Sequence, residues 1–208
     1  MGKAVQDQND EDLAIRRERI LNAAFSAFMK EGYAETSTLE IATRARVSKR
    51  ALYELVGTKQ EILAACISER ARRFSVAADA TIPADRDGLA RALTAFGANL
   101  MREVSDPNVV ATFRLAIAEA VAAPEAAWAL ESIGRNARRN ALRELMTQAQ
   151  AAGLVRGDPA EMAEQFFALL WGDLQISLLL RVTERPTESD CTRRARAAAT
   201  NFLKLHPS

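Results

Sequence analysis

Apolar residues recur along almost the whole chain at spacings of three and four, the period of a helix with one buried face. Leu21, Ala24, Phe25 and Phe28 follow this spacing, and Gly32 closes the helix they predict. A second, short helix is expected to begin at Thr38. Ser37 stands at its cap, and Glu40, three residues on, completes a capping box. Leu39, Ile41, Ala42 and Ala45 supply its apolar side. Arg46 and Val47 then lead into Ser48, the cap of a third short helix that stops at Gly57, where a left-handed conformation is expected. From Gln60 the pattern stays helical. One helix runs to about Ala80 on the stripe Leu63, Cys66, Ile67, Arg70 and Phe74, and is closed by Ile82-Pro83. The next covers Asp87 to Val104. Asp106-Pro107 opens another, since proline fits the first helical position. Pro124 begins a long helix to Gly153, and Pro159 begins one to Arg181. Thr187 caps the last, with the stripe Cys191, Ala195, Ala198, Phe202 and Leu205. Residues 1–12, polar and acidic, are expected to be disordered. The fold class is therefore all-α: a three-helix unit over residues 13–60, followed by six helices over residues 61–208.

The pair of short helices around Arg46-Val47 has the form of a helix-turn-helix, in which the second helix enters the DNA major groove. Lys49 and Arg50 sit in the first turn of that helix, where the macrodipole disfavours cations. The placement makes sense when phosphates or guanine edges are the partners. Tyr53 follows one turn later, its hydroxyl available to a phosphate, with a boundary tyrosine in water as the plainer reading. Lys59 starts the next helix and is placed to hold a phosphate on the far strand. Arg16, Arg17 and Arg19 lie near enough to touch the backbone, and a solvated basic face explains them equally well. The candidate DNA-contacting set is Ser37, Thr38, Arg46, Ser48, Lys49, Arg50, Tyr53 and Lys59.

Charge agrees with selective rather than general polyanion binding. The 208-residue chain carries a formal charge of only +1. Between Leu13 and Gln60, however, nine Lys or Arg face five Asp or Glu. Apolar residues make up 49%, enough for a sizeable core. Cys66 and Cys191 each fall in an apolar stripe and read as buried residues rather than a disulfide. No secretion signal is visible, and the apolar run from Phe166 to Leu180 is too short for a bilayer. A cytosolic protein is expected. The single histidine, His206, lies in the tail, and no metal-ligand cluster, phosphate loop or nucleophile–base pair is present. No enzyme, cofactor or metal is expected.

Residues 14–63 resemble the DNA-binding domain of the TetR family of bacterial repressors. The resemblance rests on Glu31-Gly32-Tyr33, Thr38, Ile41-Ala42, Val47-Ser48, Leu52-Tyr53 and Gly57-x-Lys59. Two positions depart from the family pattern. Arg46 stands where the family has Gly, so a strained or reshaped turn is expected. Val56 stands where it has Phe, so looser packing is expected there. The segment from Val110 to Leu205 is similar to the ligand-binding domain of that family, most of all to its AefR-type repressors. The resemblance implies a palindromic double-stranded operator and a small effector that binds between helices and releases DNA. The helix from Lys59 is the natural lever between the two parts.

The helix over 159–181 is apolar nearly all round past Phe166, so a second surface must cover it. The expected cover is a two-fold partner, in a four-helix interface using Phe167, Leu174 and Leu178 with Ala195, Ala198 and Phe202; the alternative is a helix placed centrally in the body with no dimer. Candidate effector-pocket residues are Phe96, Leu100, Phe113 and Ile117, together with Trp128, Phe166, Leu170 and Trp171; for each, plain core is the competing reading. Asp173, a carboxylate in an apolar helix, needs a partner such as Arg114, Arg135 or Arg138. These candidates form no charge cluster, which points to an apolar or aromatic effector. The alternative function is an all-helical dimeric protein-interaction module without specific DNA binding.

Overall fold

The computed structural model describes residues 2–73 and 83–207, and every regular element among them is a helix. In chain order these are α1 (Gly2–Glu31), α2 (Thr38–Ala45), α3 (Lys49–Leu55), α4 (Lys59–Arg73), α5 (Arg86–Val104), α6 (Pro107–Ala118) and α7 (Pro124–Ala129). A π-helical segment, Leu130–Arg135, leads into α8 (Asn136–Ala151), followed by α9 (Pro159–Trp171), α10 (Leu174–Leu180) and α11 (Glu188–Leu205). The rest of the helix expected to run to Ala80, with Phe74, lies outside the described residues.

Helix starts follow the capping residues. Ser37 accepts from the Glu40 N–H at 3.1 Å, and Ser48 accepts from the Ala51 N–H at 3.1 Å. Asp158 holds the Ala160 and Glu161 N–H groups, and Thr187 and Asp190 form a reciprocal capping box. Thr58 and Glu61 make a similar exchange at the start of α4, at 2.7 and 3.3 Å. Gly57 just before it has φ +111, and a Cβ there would run into the Glu61 carboxylate. The second half of the capping box expected at Ser37 is spent elsewhere: Glu40 turns to Arg44, 2.6 Å away.

Three helix predictions need correction. Residues 2–12 continue α1 instead of being disordered. The segment has no proline, and Asp12 stands four residues before Arg16, an acid-first spacing that supports a helix. The single helix expected from Pro124 to Gly153 is interrupted by the π-helical segment, which contains Gly134, a poor helix former. The helix expected from Pro159 to Arg181 is broken at Gly172, whose φ of 48 and ψ of −122 suit only a residue without Cβ. Arg194 of α11 stabilises the break by donating to the carbonyls of Leu170 and Trp171, both at 2.6 Å.

The chain packs as two compact units, residues 1–73 with 114–133, and residues 74–113 with 134–208. α4, α7 and the end of α6 thus belong with the helix-turn-helix. In the first unit Ile20, Leu21, Phe25 and Phe28 of α1 meet Ile41 of α2, Leu52 of α3 and Ile62, Leu63 and Ile67 of α4. Leu115, Ala116, Ala123 and Ala126 complete this core. Each large side chain buried here contributes roughly 1.5–3 kcal/mol. Val56 is partly buried against it. Cys66 is buried too, its thiol pushed up to about 12 by desolvation, so it stays protonated and inert at neutral pH.

In the second unit α11 lies along α5 and α9. Close approach is possible because Gly97 faces Ala195; a Cβ on Gly97 would sit 3.1 Å from the Ala195 methyl. Phe166 and Phe202 meet edge to face at 6.0 Å, both fully buried. Arg86 ties the C-terminus down by donating to the carbonyls of Leu154, Leu203 and His206. This packing corrects part of the expected dimer surface. Ala195, Ala198 and Phe202 point into their own chain's core and have no surface left for a partner. The apolar stripe of α11 is satisfied internally by α5 and α9.

Candidate nucleic-acid interface and ligand cavity

The turn between α2 and α3 is built on Arg46, which takes the left-handed conformation (φ 54, ψ 46) at the end of α2. For a residue with a Cβ this costs about 1–2 kcal/mol. The turn is held by Val47 N–H donating to the Ala42 carbonyl at 3.0 Å and Arg46 N–H to Thr43 at 3.1 Å. Arg19 of α1 adds a side-chain clamp, donating to the Ala45 carbonyl at 2.5 Å. The turn expected to be strained therefore keeps its shape through a strained residue and a guanidinium brace. Arg19, a candidate phosphate contact, is occupied by that task.

Ser48 sets the start of α3, and its hydroxyl, though accepting from Ala51, retains a proton to donate. Lys49, Arg50 and Tyr53 then project to solvent. Tyr53 is 45% exposed, with its hydroxyl 3.3 Å from Thr38 Oγ1 and the Lys49 ammonium 5.9 Å from its ring centre. Thr38, Lys49 and Tyr53 are thus gathered onto one face spanning both helices. Arg50, its side chain 88% exposed, pairs with Glu54 at 2.7 Å. Glu54 was not among the candidates; its i, i+4 spacing from Arg50 was the available signal. Ser37 is used as a cap. The Arg46 side chain is exposed beside the turn. Lys59 is anchored: its ammonium donates to the Ala34 carbonyl at 3.0 Å and lies 4.4 Å above the Tyr33 ring.

The second unit contains a cavity of about 100 Å³. Leu100, Val104, Phe113, Phe167 and Trp171 form its apolar wall, and Arg135, Arg138, Arg139, Glu164 and Gln175 its polar side. Of the expected pocket residues, Leu100, Phe113 and Trp171 line it. Phe96 stacks edge-on against Phe167 at 6.3 Å. Phe166 and Leu170 are plain core. Ile117 and Trp128 are 60% and 71% exposed in the first unit and are not among the residues lining this cavity. Phe167, expected at a dimer contact, faces the cavity.

The expectation of a pocket without a charge cluster is overturned. Arg138 is buried and lies 3.6 Å from Glu103, while Arg139 pairs with Glu164 at 3.0 Å. Desolvation lowers the Arg138 pKa and raises that of Glu103, the attraction between them opposing both shifts. Asp173, expected to take one of these arginines, sits exposed at the break before α10. The continuous helix expected around Asp173 is broken at Gly172. Leu178 is buried within the chain, and Leu174 is half-buried. Ile176, Leu180 and Val182 provide the exposed apolar surface around α10. Among the described residues no group of metal-ligating side chains is assembled, and no helix is long and apolar enough to cross a membrane.

These features define a helix-turn-helix unit followed by a helical domain that contains a cavity. Residues 20–66 match the family model of bacterial regulatory proteins of the tetR family, and residues 91–206 match that of the AefR-like transcriptional repressor C-terminal domain. The chain belongs to the TetR family of transcriptional regulators, which are DNA-binding proteins and not enzymes. A TetR-family regulator of Mesorhizobium loti shares 23% identity over 94% of this chain and 98% of its own, with a TM-score of 0.79. The flavonoid-responsive regulator FrrA shares 27% over 92% and 97%, with a TM-score of 0.78. A TetR regulator of Agrobacterium tumefaciens shares 27% over 91% and 94%, with a TM-score of 0.71. No curated protein matches the chain.

Proposed function

We propose that the protein is a homodimeric repressor of the bacterial cytoplasm that leaves a palindromic operator when a small aromatic effector enters the second unit. In this reading residues 13–60 bind double-stranded DNA, and residues 61–208 bind effector and partner. The observation that carries it is the exposed face of Thr38, Lys49 and Tyr53, with Arg50 beside it. Lys49 and Arg50 reach base edges, while Thr38, Ser48 and Tyr53 donate to phosphates. Arg46 adds charge beside the groove, and Ser37 contributes through the cap that orients α2. Lys59 keeps two of its three donors for a phosphate while the third holds Ala34.

One α3 reads only a few base pairs, so two heads spaced by roughly 34 Å are needed for a palindrome. The half-buried Leu174 and the exposed Ile176 and Leu180 of α10 supply an apolar face for the partner. Effector release is linkage: a ligand that prefers the form with mis-spaced heads lowers DNA affinity by the same factor. α6 carries Phe113 on the cavity wall and, two residues on, Leu115 in the core of the unit that holds the helix-turn-helix. The flavonoid response in the name of FrrA supports a planar aromatic effector.

Fluorescence anisotropy with duplexes from the region upstream of the coding sequence tests the proposal. Specific binding should weaken steeply as salt rises, because phosphate contacts release counterions. Absence of specific binding to any such duplex at low salt removes it.

A further inference from the structure

The turn between α2 and α3 pivots on Arg46. α2 ends at Ala45 and α3 begins at Lys49, so the torsions of Arg46 help set how the second helix leaves the first. They are left-handed, φ 54 and ψ 46, a conformation that glycine takes freely and arginine does not. Two backbone hydrogen bonds close the N–H side of the turn, Arg46 to Thr43 and Val47 to Ala42. Arg19 of α1 closes the carbonyl side. Its Nη2 donates to the Ala45 carbonyl at 2.5 Å and lies 3.5 Å from the Arg46 carbonyl. Those two carbonyls are separated in the chain only by the φ and ψ of Arg46. A single nitrogen that reaches both therefore restrains both torsions. The position suits a cation, because the last carbonyls of α2 are the negative end of its dipole.

The exposed polar face has parts on both helices. Thr38 belongs to α2, Lys49 and Tyr53 to α3, and the Thr38 and Tyr53 hydroxyls are 3.3 Å apart. A change in the Arg46 torsions rotates one part against the other. We propose that Arg19 is a positioning residue for DNA recognition: it holds Arg46 left-handed and so sets the angle of α3 against α2. This deepens the DNA-binding reading above and rests on it for the consequence at DNA, while the brace stands without it. Loss of a positioning residue costs the specific duplex, whose base contacts need α3 correctly aimed. It spares a scrambled duplex, which is held by phosphate contacts alone. A direct phosphate contact by Arg19 would behave differently, weakening both duplexes alike and lowering the salt slope by about one.

The test compares the parent with Arg19→Gln, Arg46→Gly and the double change R19Q/R46G, all full-length. Amide hydrogen exchange comes first and needs no DNA. Arg19→Gln should lower protection of the Val47 amide, whose bond to Ala42 spans Arg46, by about tenfold relative to the Leu52 amide of α3. Fluorescence anisotropy follows, with a specific duplex and its scrambled counterpart over a range of salt. Arg19→Gln should weaken the specific duplex about tenfold at an unchanged salt slope and leave the scrambled one nearly as it was. In the Arg46→Gly background the same change should cost no more than about threefold, since glycine needs no help to stay left-handed. Unchanged Val47 protection overturns the proposal. So does an equal loss on both duplexes, a salt slope lower by about one, or the same loss in both backgrounds. Lowered protection with specific binding intact leaves a brace without a role in recognition and overturns the positioning claim. Lowered protection in a protein whose parent binds no duplex specifically supports the brace and overturns the DNA-binding reading instead.

Discussion

Each unit contains a carboxylate facing a guanidinium, and the two pairs differ in the guanidinium: Glu31 and Glu103 are similarly exposed, at 29% and 31%, but Arg44 is 32% exposed and Arg138 only 7%. Glu31 and Arg44 in the head bond half-exposed, with Glu40 joining from the preceding turn of α2. The Arg44 hydrogen bond, then Glu40, holds the Glu31 carboxyl below its ordinary pKa against the opposing effect of burial. In the second unit Arg138 is drawn out of water and Glu103 only partly so, and burial outweighs their attraction, lifting the Glu103 pKa. The head spends charge at the surface, where a polyanion can meet it. The second unit confines charge beside an apolar wall. A charge change should therefore act mainly on partners in the head and mainly on stability in the second unit.

The largest expected effect breaks the buried pair. Arg138→Ala strands the Glu103 carboxylate and should lower stability by about 3 kcal/mol, the low end for a buried pair because Glu103 keeps some water. Urea denaturation measures this, and a loss no larger than that of Arg44→Ala would erase the contrast between the units. Gly172→Ala comes next. It forces φ 48 with ψ −122 on a residue with a Cβ and presses that Cβ to 2.9 Å from the Arg194 guanidinium. The expected cost is about 2 kcal/mol, read by thermal melting.

The two units also differ in how much of them was legible. The head is written locally: Ser37, Ser48 and Gly57 mark helix ends within a few residues of what they act on. The exposed side of α3, with Lys49, Arg50 and Tyr53, follows from spacing alone. Arg19 bracing the carbonyl 26 residues later was not legible, because nothing near Arg19 encodes it. The cavity depends on such long-range packing throughout. Trp128 and Ile117 look like lining residues by type, but on α7 and at the end of α6 they are exposed. Ala195, Ala198 and Phe202 made a correct stripe, yet a stripe does not say whether its cover is the same chain or another. Gly172 was a visible break signal in Trp171-Gly172-Asp173, and the surrounding leucines outweighed it.

Substitutions on the head sharpen the comparison through affinity at constant fold. Lys49→Ala should cost about 1–3 kcal/mol in duplex binding if it reaches a base edge, with no change in melting temperature. Tyr53→Phe should cost about 1 kcal/mol, the worth of one hydrogen bond. Lys59→Ala should weaken binding least and also loosen the Ala34 contact, so its melting temperature falls slightly. Arg46→Gly has two opposed effects: it relieves the left-handed strain, raising stability by about 0.5–1 kcal/mol, and it removes a cation beside the groove. A variant that melts later and binds DNA more weakly is the expected result. Unchanged DNA affinity would remove Arg46 from the interface.

The smallest effect is the one that separates the two carboxylates by sign. Glu31 has a lowered folded pKa, so its contribution is full above the ordinary carboxylate range and is lost as pH falls through the folded value. Glu103 has a raised one. Its protonated form is favoured in the fold, so its contribution is full below the ordinary range and is lost as pH rises through the folded value. Stability measured by urea unfolding across mildly acidic pH should therefore respond in opposite directions to Glu31→Gln and Glu103→Gln. The first variant should lose stability relative to the parent as pH rises toward neutral, and the second should gain. The same slope for both would mean that Glu103 keeps enough water to behave like a surface carboxylate.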